Sequence, residues 1–423
     1  MKIHKSVEKC KLVLLDPGLT NSSGHHFSTA ELLLDKLAKA PINVELTILG
    51  GFGDWREKIS SKYTNVTIKE FFSSNFYQFH TGIENLARIN SYISKLSFEY
   101  QKVIEQEIDT ENKPRLFFCH TLDWEHLIAL SYAINFVRQK IPSARFLTIS
   151  CMMYSTGADY LGNIIDIKKY LVSRLALRLA QSVQGLSIYA SHFELMQAIN
   201  LIDSQSKKIE CSPCFIADWK SSHRINIKRE DFKKVLLYAG DAKESKGFHL
   251  LPELVRSIQH KLQEGIKLII QFTCAEKTSA SLSNAAAELI QLAQGNNQII
   301  LLTDYLSDDM LAELLSGTDI FLFNYSTRQY ANNSSGFLWH LAWHGVQFVT
   351  FSRSWITREA DRLGISFHLI EQNELSELIN SLSSHNRNQS YLPTIDGNQQ
   401  DYRHTLFREP IEWLSHEWAK FDE

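Results

Sequence analysis

Residues able to do chemistry gather in a few short segments. The sharpest is Tyr330-Ala331-Asn332-Asn333-Ser334-Ser335-Gly336-Phe337-Leu338-Trp339-His340, which continues to Gly345. Small polar residues open it and apolar residues follow at 337, 338, 341 and 342, the pattern of a capped helix. Unpaired N–H groups at a helix start, with the helix dipole behind them, favour a phosphate, and Gly336 permits close backbone approach. An ordinary N-cap before a buried helix fits the same residues. The second segment is Tyr238-Ala239-Gly240-Asp241-Ala242-Lys243-Glu244-Ser245-Lys246-Gly247-Phe248. At the carboxyl end of a strand, Lys243 and Lys246 can reach phosphate oxygens. The plain alternative is a solvated strand–helix turn.

Two further segments lie in the first half. Asn21-Ser22-Ser23-Gly24-His25-His26-Phe27 joins a strand to a helix. Contact with a ligand is ranked first there, helix-start capping second and metal ligation third, because adjacent helical side chains point in different directions. Cys119-His120-Thr121-Leu122-Asp123-Trp124-Glu125-His126 follows another strand. Asp123 or Glu125 can serve as a general base toward a hydroxyl. The preferred reading is a capping Asp123 with Glu125 and His126 on a solvated first helical turn. Cys211-Ser212-Pro213-Cys214 lacks the two further ligands a zinc site needs and is read as structural.

These segments need elements to hold them. Aliphatic runs alternate with amphipathic stretches, the signature of α/β architecture with parallel sheets. Strands are predicted over 12–16, 44–49, 115–119, 145–150 and 184–189, with helices over 27–39, 127–138 and 168–180 between them. Periodicity is lost over 214–230, around Ser221-Ser222-His223-Arg224, and then restarts. Strands are then predicted over 234–238, 268–272, 298–302, 320–323, 348–351 and 365–369, and a last aromatic-rich helix over 408–420. Two doubly wound domains follow, with ligand expected in the cleft between them. Lys168, Lys169, Arg174 and Arg178 accompany Leu171, Leu175 and Leu179 on one helix. That helix suits an anionic membrane surface or, the preferred reading, the exposed face of a core helix.

Composition narrows the function classes. A chain of 423 residues exceeds what one core usually supports. Its 44 basic and 47 acidic residues give no electrostatic reason to expect nucleic-acid binding. No stretch of about 18 apolar residues is present, so a membrane span is not expected. The charged first ten residues lack a signal-peptide core, and the six cysteines form no secreted-type framework, so a cytoplasmic location is expected.

Gly240 with Lys246-Gly247-Phe248 resembles the G…KG turn of glycosyltransferases built from two Rossmann-like domains, the GT-B architecture. Ser335-Gly336, followed nine residues later by Gly345, is similar to the SG…EA…G.P helix of the retaining family-four transferases. Tyr305 with the run 308–320, Tyr325, Tyr330 and Val346-Gln347-Phe348-Val349 fall in the same order, so the resemblance spans most of 234–370. It implies an acceptor-binding domain over 1–213, a linker over 214–232, a sugar-nucleotide domain over 233–395 and a C-terminal helix over 396–423 crossing back to the first. It also implies a nucleotide-sugar substrate, no cofactor and no metal, with a glycan, lipid-linked or protein acceptor. Peripheral contact with the inner face of a membrane and homo-oligomerisation stay open.

The implied donor-binding residues are Gly24, His25, His26, Gly240, Lys243, Lys246, Tyr330, Asn332, Asn333, Ser334, Ser335, Gly336 and His340. The implied catalytic group is His120 with Lys246, and Asp123 is carried beside them. One departure stands out. The family pattern has two acidic residues eight positions apart, and the matching positions here are Asn332 and His340. Neither carries a fixed negative charge. A non-catalytic subunit that stabilises or targets a partner transferase is therefore the main alternative, and a sugar-nucleotide epimerase a weaker one.

Overall fold

The computed structural model describes residues 11–39, 44–78, 85–109, 113–202, 207–216, 234–262, 266–274, 279–383 and 397–422. The chain divides into unit 1, Met1–Phe215 with Thr405–Glu423, and unit 2, Ile216–His404. Most of the expected linker, including Ser221-Ser222-His223-Arg224, lies outside the described residues.

Unit 1 holds β1 (Lys11–Asp16), β2 (Leu46–Gly51), β3 (Val66–Phe72), β4 (Arg115–Leu122), β5 (Phe146–Met152), β6 (Leu186–Ala190) and β7 (Glu210–Cys211). They pair in parallel in the order β3-β2-β1-β4-β5-β6-β7. Strands covered on both faces must be apolar along their length, and every residue of β2, β4 and β5 is buried. β3 escapes the sequence reading because it closes the sheet edge and its VTIKEFF alternates polar residues with half-buried apolar ones. The connecting helices are α1 (Gly24–Lys39), α2 (Trp55–Lys62), α3 (Leu86–Asp109), α4 (Trp124–Lys140), α5 (Ile167–Gln181) and α6 (Phe193–Ile202).

Unit 2 repeats the scheme. Its strands β8 (Lys234–Asp241), β9 (Ile266–Thr273), β10 (Ile299–Leu302), β11 (Ile320–Phe323), β12 (Gln347–Thr350) and β13 (Phe367–Leu369) are parallel in the order β10-β9-β8-β11-β12-β13. The helices are α7 (Leu251–Leu262), α8 (Ala280–Gln294), α9 (Asp308–Ser316), α10 (Gly336–His344), α11 (Trp355–Leu363), α12 (Leu375–Ser383) and α13 (Gly397–Leu406). The last helix, α14 (Pro410–Asp422), belongs to unit 1. Its Ile411, Trp413, Leu414 and Trp418 join the core over one face of the β1–β6 sheet, with Trp413 edge-on to Tyr189 and to Phe118.

In each sheet the strand order reverses once, between β1 and β4 and again between β8 and β11. Ligands of such sheets bind outside the carboxyl ends of the strands at this switch point. The residues there are Asp16 and His120 in unit 1, and Gly240, Asp241 and the loop after Phe323 in unit 2. On α5 the structure departs from a simple core helix. Ser173, Ala176, Leu177 and Ala180 face inward, whereas Leu171 and Leu175 are 56% and 63% exposed.

Candidate active site

In unit 1, Asp16 ends the buried strand β1 and accepts from the Gly18 N–H at 3.0 Å. His26, on the first turn of α1, brings Nδ1 within 2.7 Å of Asp16 Oδ1. His120, near the end of β4, brings Nε2 within 2.7 Å of Asp16 Oδ2. All three side chains are buried. Gly18 is required because a Cβ there would lie 2.2 Å from the His26 ring. Burial alone would raise the Asp16 pKa, but His26 and His120, by charge and hydrogen bonding, hold it far below the usual carboxylate range.

An ionised carboxylate only accepts, so in the His120–Asp16 hydrogen bond the Nε2 proton faces Asp16, and His26 Nδ1 stands at the same distance from the other carboxylate oxygen. A ring in its neutral form that donates one N–H to Asp16 offers its opposite nitrogen as an acceptor. Tyr77 Oη lies 3.0 Å from His26 Nε2, and Thr121 Oγ1 lies 2.7 Å from His120 Nδ1. Tyr77 is 43% exposed, so it forms the outward end of an Asp16–His26–Tyr77 chain. Burial raises its phenol to about 12 despite a hydrogen bond from Tyr154. A carboxylate backing an imidazole whose far nitrogen meets a hydroxyl is general-base geometry. The three ligating atoms also lie within 4.8 Å of one another, a set able to hold a divalent metal. The 2.7 Å contact of His120 with Asp16 has hydrogen-bond geometry, whereas that of His26 Nδ1 is a close charge contact.

The neighbouring carboxylates have other roles. Asp123 caps α4 by accepting from Trp124 N–H at 2.8 Å, and its other oxygen accepts from Lys169 at 3.1 Å. Glu125 and His126, expected on a solvated first turn, are buried there because α4 packs both under its neighbours, and Glu125 Oε2 has no hydrogen-bond partner. Burial and the nearby Asp123 push its pKa to about 8, with Lys169 opposing. His25 is exposed, its ring 4.1 Å from that of His26.

In unit 2 the two phosphate candidates converge. Gly240 has φ +138°, and a Cβ there would meet Lys246 Nζ at 2.7 Å, so only glycine lets the lysine lie across the strand end. Lys246 Nζ stands 5.6 Å from the centre of the Phe337 ring, on the first turn of α10. Burial lowers the Lys246 pKa, and Asp241, 3.6 Å away, opposes the shift. Lys243 is more exposed and pairs with Asp241 at 2.9 Å. Ser335 occupies the N-cap of α10 without a side-chain capping bond, and space is open around Gly336. The Ser326 N–H donates to the Ser245 carbonyl at 2.8 Å, which ties the two loops together, and the Tyr325 and Tyr330 rings pack 4.5 Å apart beside that contact.

The matching Asn332 is half-buried, and Asn333 is exposed, donating to the Gln329 carbonyl at 2.6 Å. Ser334 is half-buried beside them. Burial, then the neighbouring His344, lowers His340 to about 4, so its ring is neutral near pH 7.

The sequence matches no protein-family model and no curated protein. Solved structures do match, over almost the whole chain. An α,α-trehalose-phosphate synthase (UDP-forming) from Burkholderia xenovorans, in complex with glucose-6-phosphate, is 8% identical with a TM-score of 0.61. The match covers 98% of this chain and 100% of that one. HepE from Anabaena, in complex with UDP and glucose, is 13% identical, TM-score 0.54, covering 97% and 98% of the two chains. S. aureus MnaA, in a structure with UDP, is 10% identical, TM-score 0.54, covering 97% and 95%. The fold is GT-B. At these identities the likeness fixes the architecture and leaves the GT-B subclass undetermined.

Within this GT-B chain the structure gathers Gly240, Lys246, Tyr330, Ser335 and Gly336 in unit 2, and His26 and His120 in unit 1. It brings Asp16, Tyr77 and Asp241 into these groups, and sequence reasoning missed all three. The available signal was a carboxylate closing an otherwise apolar strand, in LVLLD and in VLLYAGD. Tyr77 carried no signal, since its position depends on the loop after β3.

Proposed function

We propose that the chain transfers a sugar from a nucleotide-sugar donor to an acceptor hydroxyl. The observation that carries the reading is the meeting, at the unit 2 switch point, of the Lys246 ammonium, the Gly240 turn and the start of α10. An ammonium and helix-start amides there suit a diphosphate. Solved neighbours with UDP, or with UDP-2-fluoro glucose in an E. coli trehalose-6-phosphate structure, make UDP-sugars the first donors to test. Asn332 and the neutral His340 would meet sugar and ribose hydroxyls by hydrogen bonds without charge.

Unit 1 would supply the base, and Tyr77 Oη marks the place an acceptor hydroxyl would take. The acceptor proton passes to His26 Nε2, and Asp16 holds the imidazolium that forms. The acceptor oxygen bonds the anomeric carbon. The sugar–phosphate C–O bond breaks and its electron pair leaves with the diphosphate, whose charge Lys246 and the α10 amides stabilise. A base-assisted displacement of this kind inverts the anomeric centre, unlike the retaining pattern the sequence resembles. His120 and Thr121 act as positioning residues through Asp16. Because Lys246 and the amides supply the positive charge, the step is metal-independent and should survive chelation by EDTA.

Thermal-shift screening against UDP-, GDP-, ADP- and CMP-sugars tests the donor site. A ligand at about 100 times its Kd stabilises by roughly 2.7 kcal/mol, and a flat screen removes the proposal. Donor binding without turnover, combined with co-purification of a related transferase, would select the non-catalytic subunit that Asn332 and His340 motivate.

A further inference from the structure

Unit 1 carries an apolar surface that the proposed chemistry does not use. On α5, Ile167, Leu171 and Leu175 recur every fourth residue, so they form one stripe. They are 56%, 56% and 63% exposed. The loop leading into the helix adds Leu161, Ile164 and Ile165, all about half exposed or more. Leu201 of α6, also exposed, lies 3.6 Å from where a Cβ on Gly162 would stand, so the patch extends onto a second helix. Isolated exposed leucines are ordinary, but a contiguous run of this kind marks an interaction surface.

Charge decides what that surface meets. Lys168, Arg174 and Arg178 fall on the same side of α5 as the leucines. The only carboxylate between 161 and 181 is Asp166, which is spent capping the helix through the Lys168 and Lys169 N–H groups. Lys169 turns the other way, to Asp123. A protein partner for such a patch would need its own apolar, acidic face. An anionic lipid surface supplies both features together: acyl chains for the aliphatic residues and headgroup charge for the cations.

We infer that α5 and the loop before it dock unit 1 onto an anionic membrane surface, lying in the interface without crossing it. Among the described residues no helix is long and apolar enough to cross a membrane. The Lys169–Asp123 contact ties α5 to the residue that follows β4, three positions after His120, so a docked α5 would hold the histidine cluster close to lipid. A lipid-linked acceptor is then favoured over a soluble glycan or a protein. That last step rests on the glycosyl-transfer reading, whereas membrane docking does not.

Flotation of the full chain with vesicles distinguishes the outcomes and needs no sugar nucleotide. The chain should float with vesicles of phosphatidylcholine containing phosphatidylglycerol and stay behind with phosphatidylcholine alone. Raising the salt should release it. The double substitution Leu171→Asp with Leu175→Asp changes only exposed positions and should lower the bound fraction about tenfold or more. Lys168→Glu should lower it about fivefold. No flotation with anionic vesicles would overturn the inference, as would flotation unaffected by the leucine pair. A concentration-dependent dimer in sedimentation, dispersed by that pair and with no vesicle binding, would assign the patch to a second copy instead. Circular dichroism and an unchanged melting temperature confirm that the variants fold.

Discussion

Burial by itself would drive Asp16 toward the neutral acid; the two imidazoles beside it reverse that and keep the carboxylate ionised. Its folded-state pKa lies below the ordinary 3.8, so the stability it contributes is present above that value and lost as the pH falls through the folded one. Asp16→Asn preserves the shape but removes the charge behind His26. It should lower kcat by about 10²–10⁴ with little change in donor Kd, measured by titration beside steady-state kinetics. Equal losses in both would remove Asp16 from the base. Gly18→Ala should also lower turnover, because the added methyl displaces the His26 ring. Glu125 works in the opposite direction. Its value of about 8 lies above the ordinary 4.5, so its contribution is complete below pH 4.5 and lost as the pH rises through 8. Stability should therefore fall across that window in the wild type, and Glu125→Gln should flatten the fall in denaturant titrations at several pH values.

At the scale of elements, the unit 2 site depends on α10 starting where Lys246 ends. Lys246→Ala should abolish donor-induced stabilisation in thermal shift, whereas Lys243→Ala should leave most of it, because Lys243 is the more exposed lysine and is paired to Asp241. Retained stabilisation in Lys246→Ala would place the phosphates elsewhere. α14 has a structural task. Trp413 is buried against Tyr189 and Phe118, and Trp413→Ala should cost about 3–5 kcal/mol in chemical denaturation.

At the scale of the molecule, the chain leaves unit 1 near Phe215 and returns at Thr405. Unit 1 is thus built from two separate stretches of chain, whereas unit 2 is continuous. Calorimetry with a bound donor should raise the transition belonging to unit 2 selectively. Trp413→Ala should lower the transition of unit 1. A single transition shifted equally by both treatments would mean that the two units unfold together.

The strands were legible because a parallel sheet covered on both faces demands uninterrupted apolar runs, and 320–323 is read to the residue. β3 was not, since a sheet edge tolerates the lysine and glutamate that break its pattern. The candidate phosphate segments were visible in sequence as Gly240, Lys246 and Ser335-Gly336 because backbone geometry imposes glycine and small caps locally. The base could not. Asp16, His26 and His120 are spread over 104 positions, and only the strand order, which sets β1 beside β4, brings them together. The same holds for α5, whose leucines and cations were visible in sequence. Whether its apolar stripe faced core or solvent was decided by which side of the helix the sheet covers.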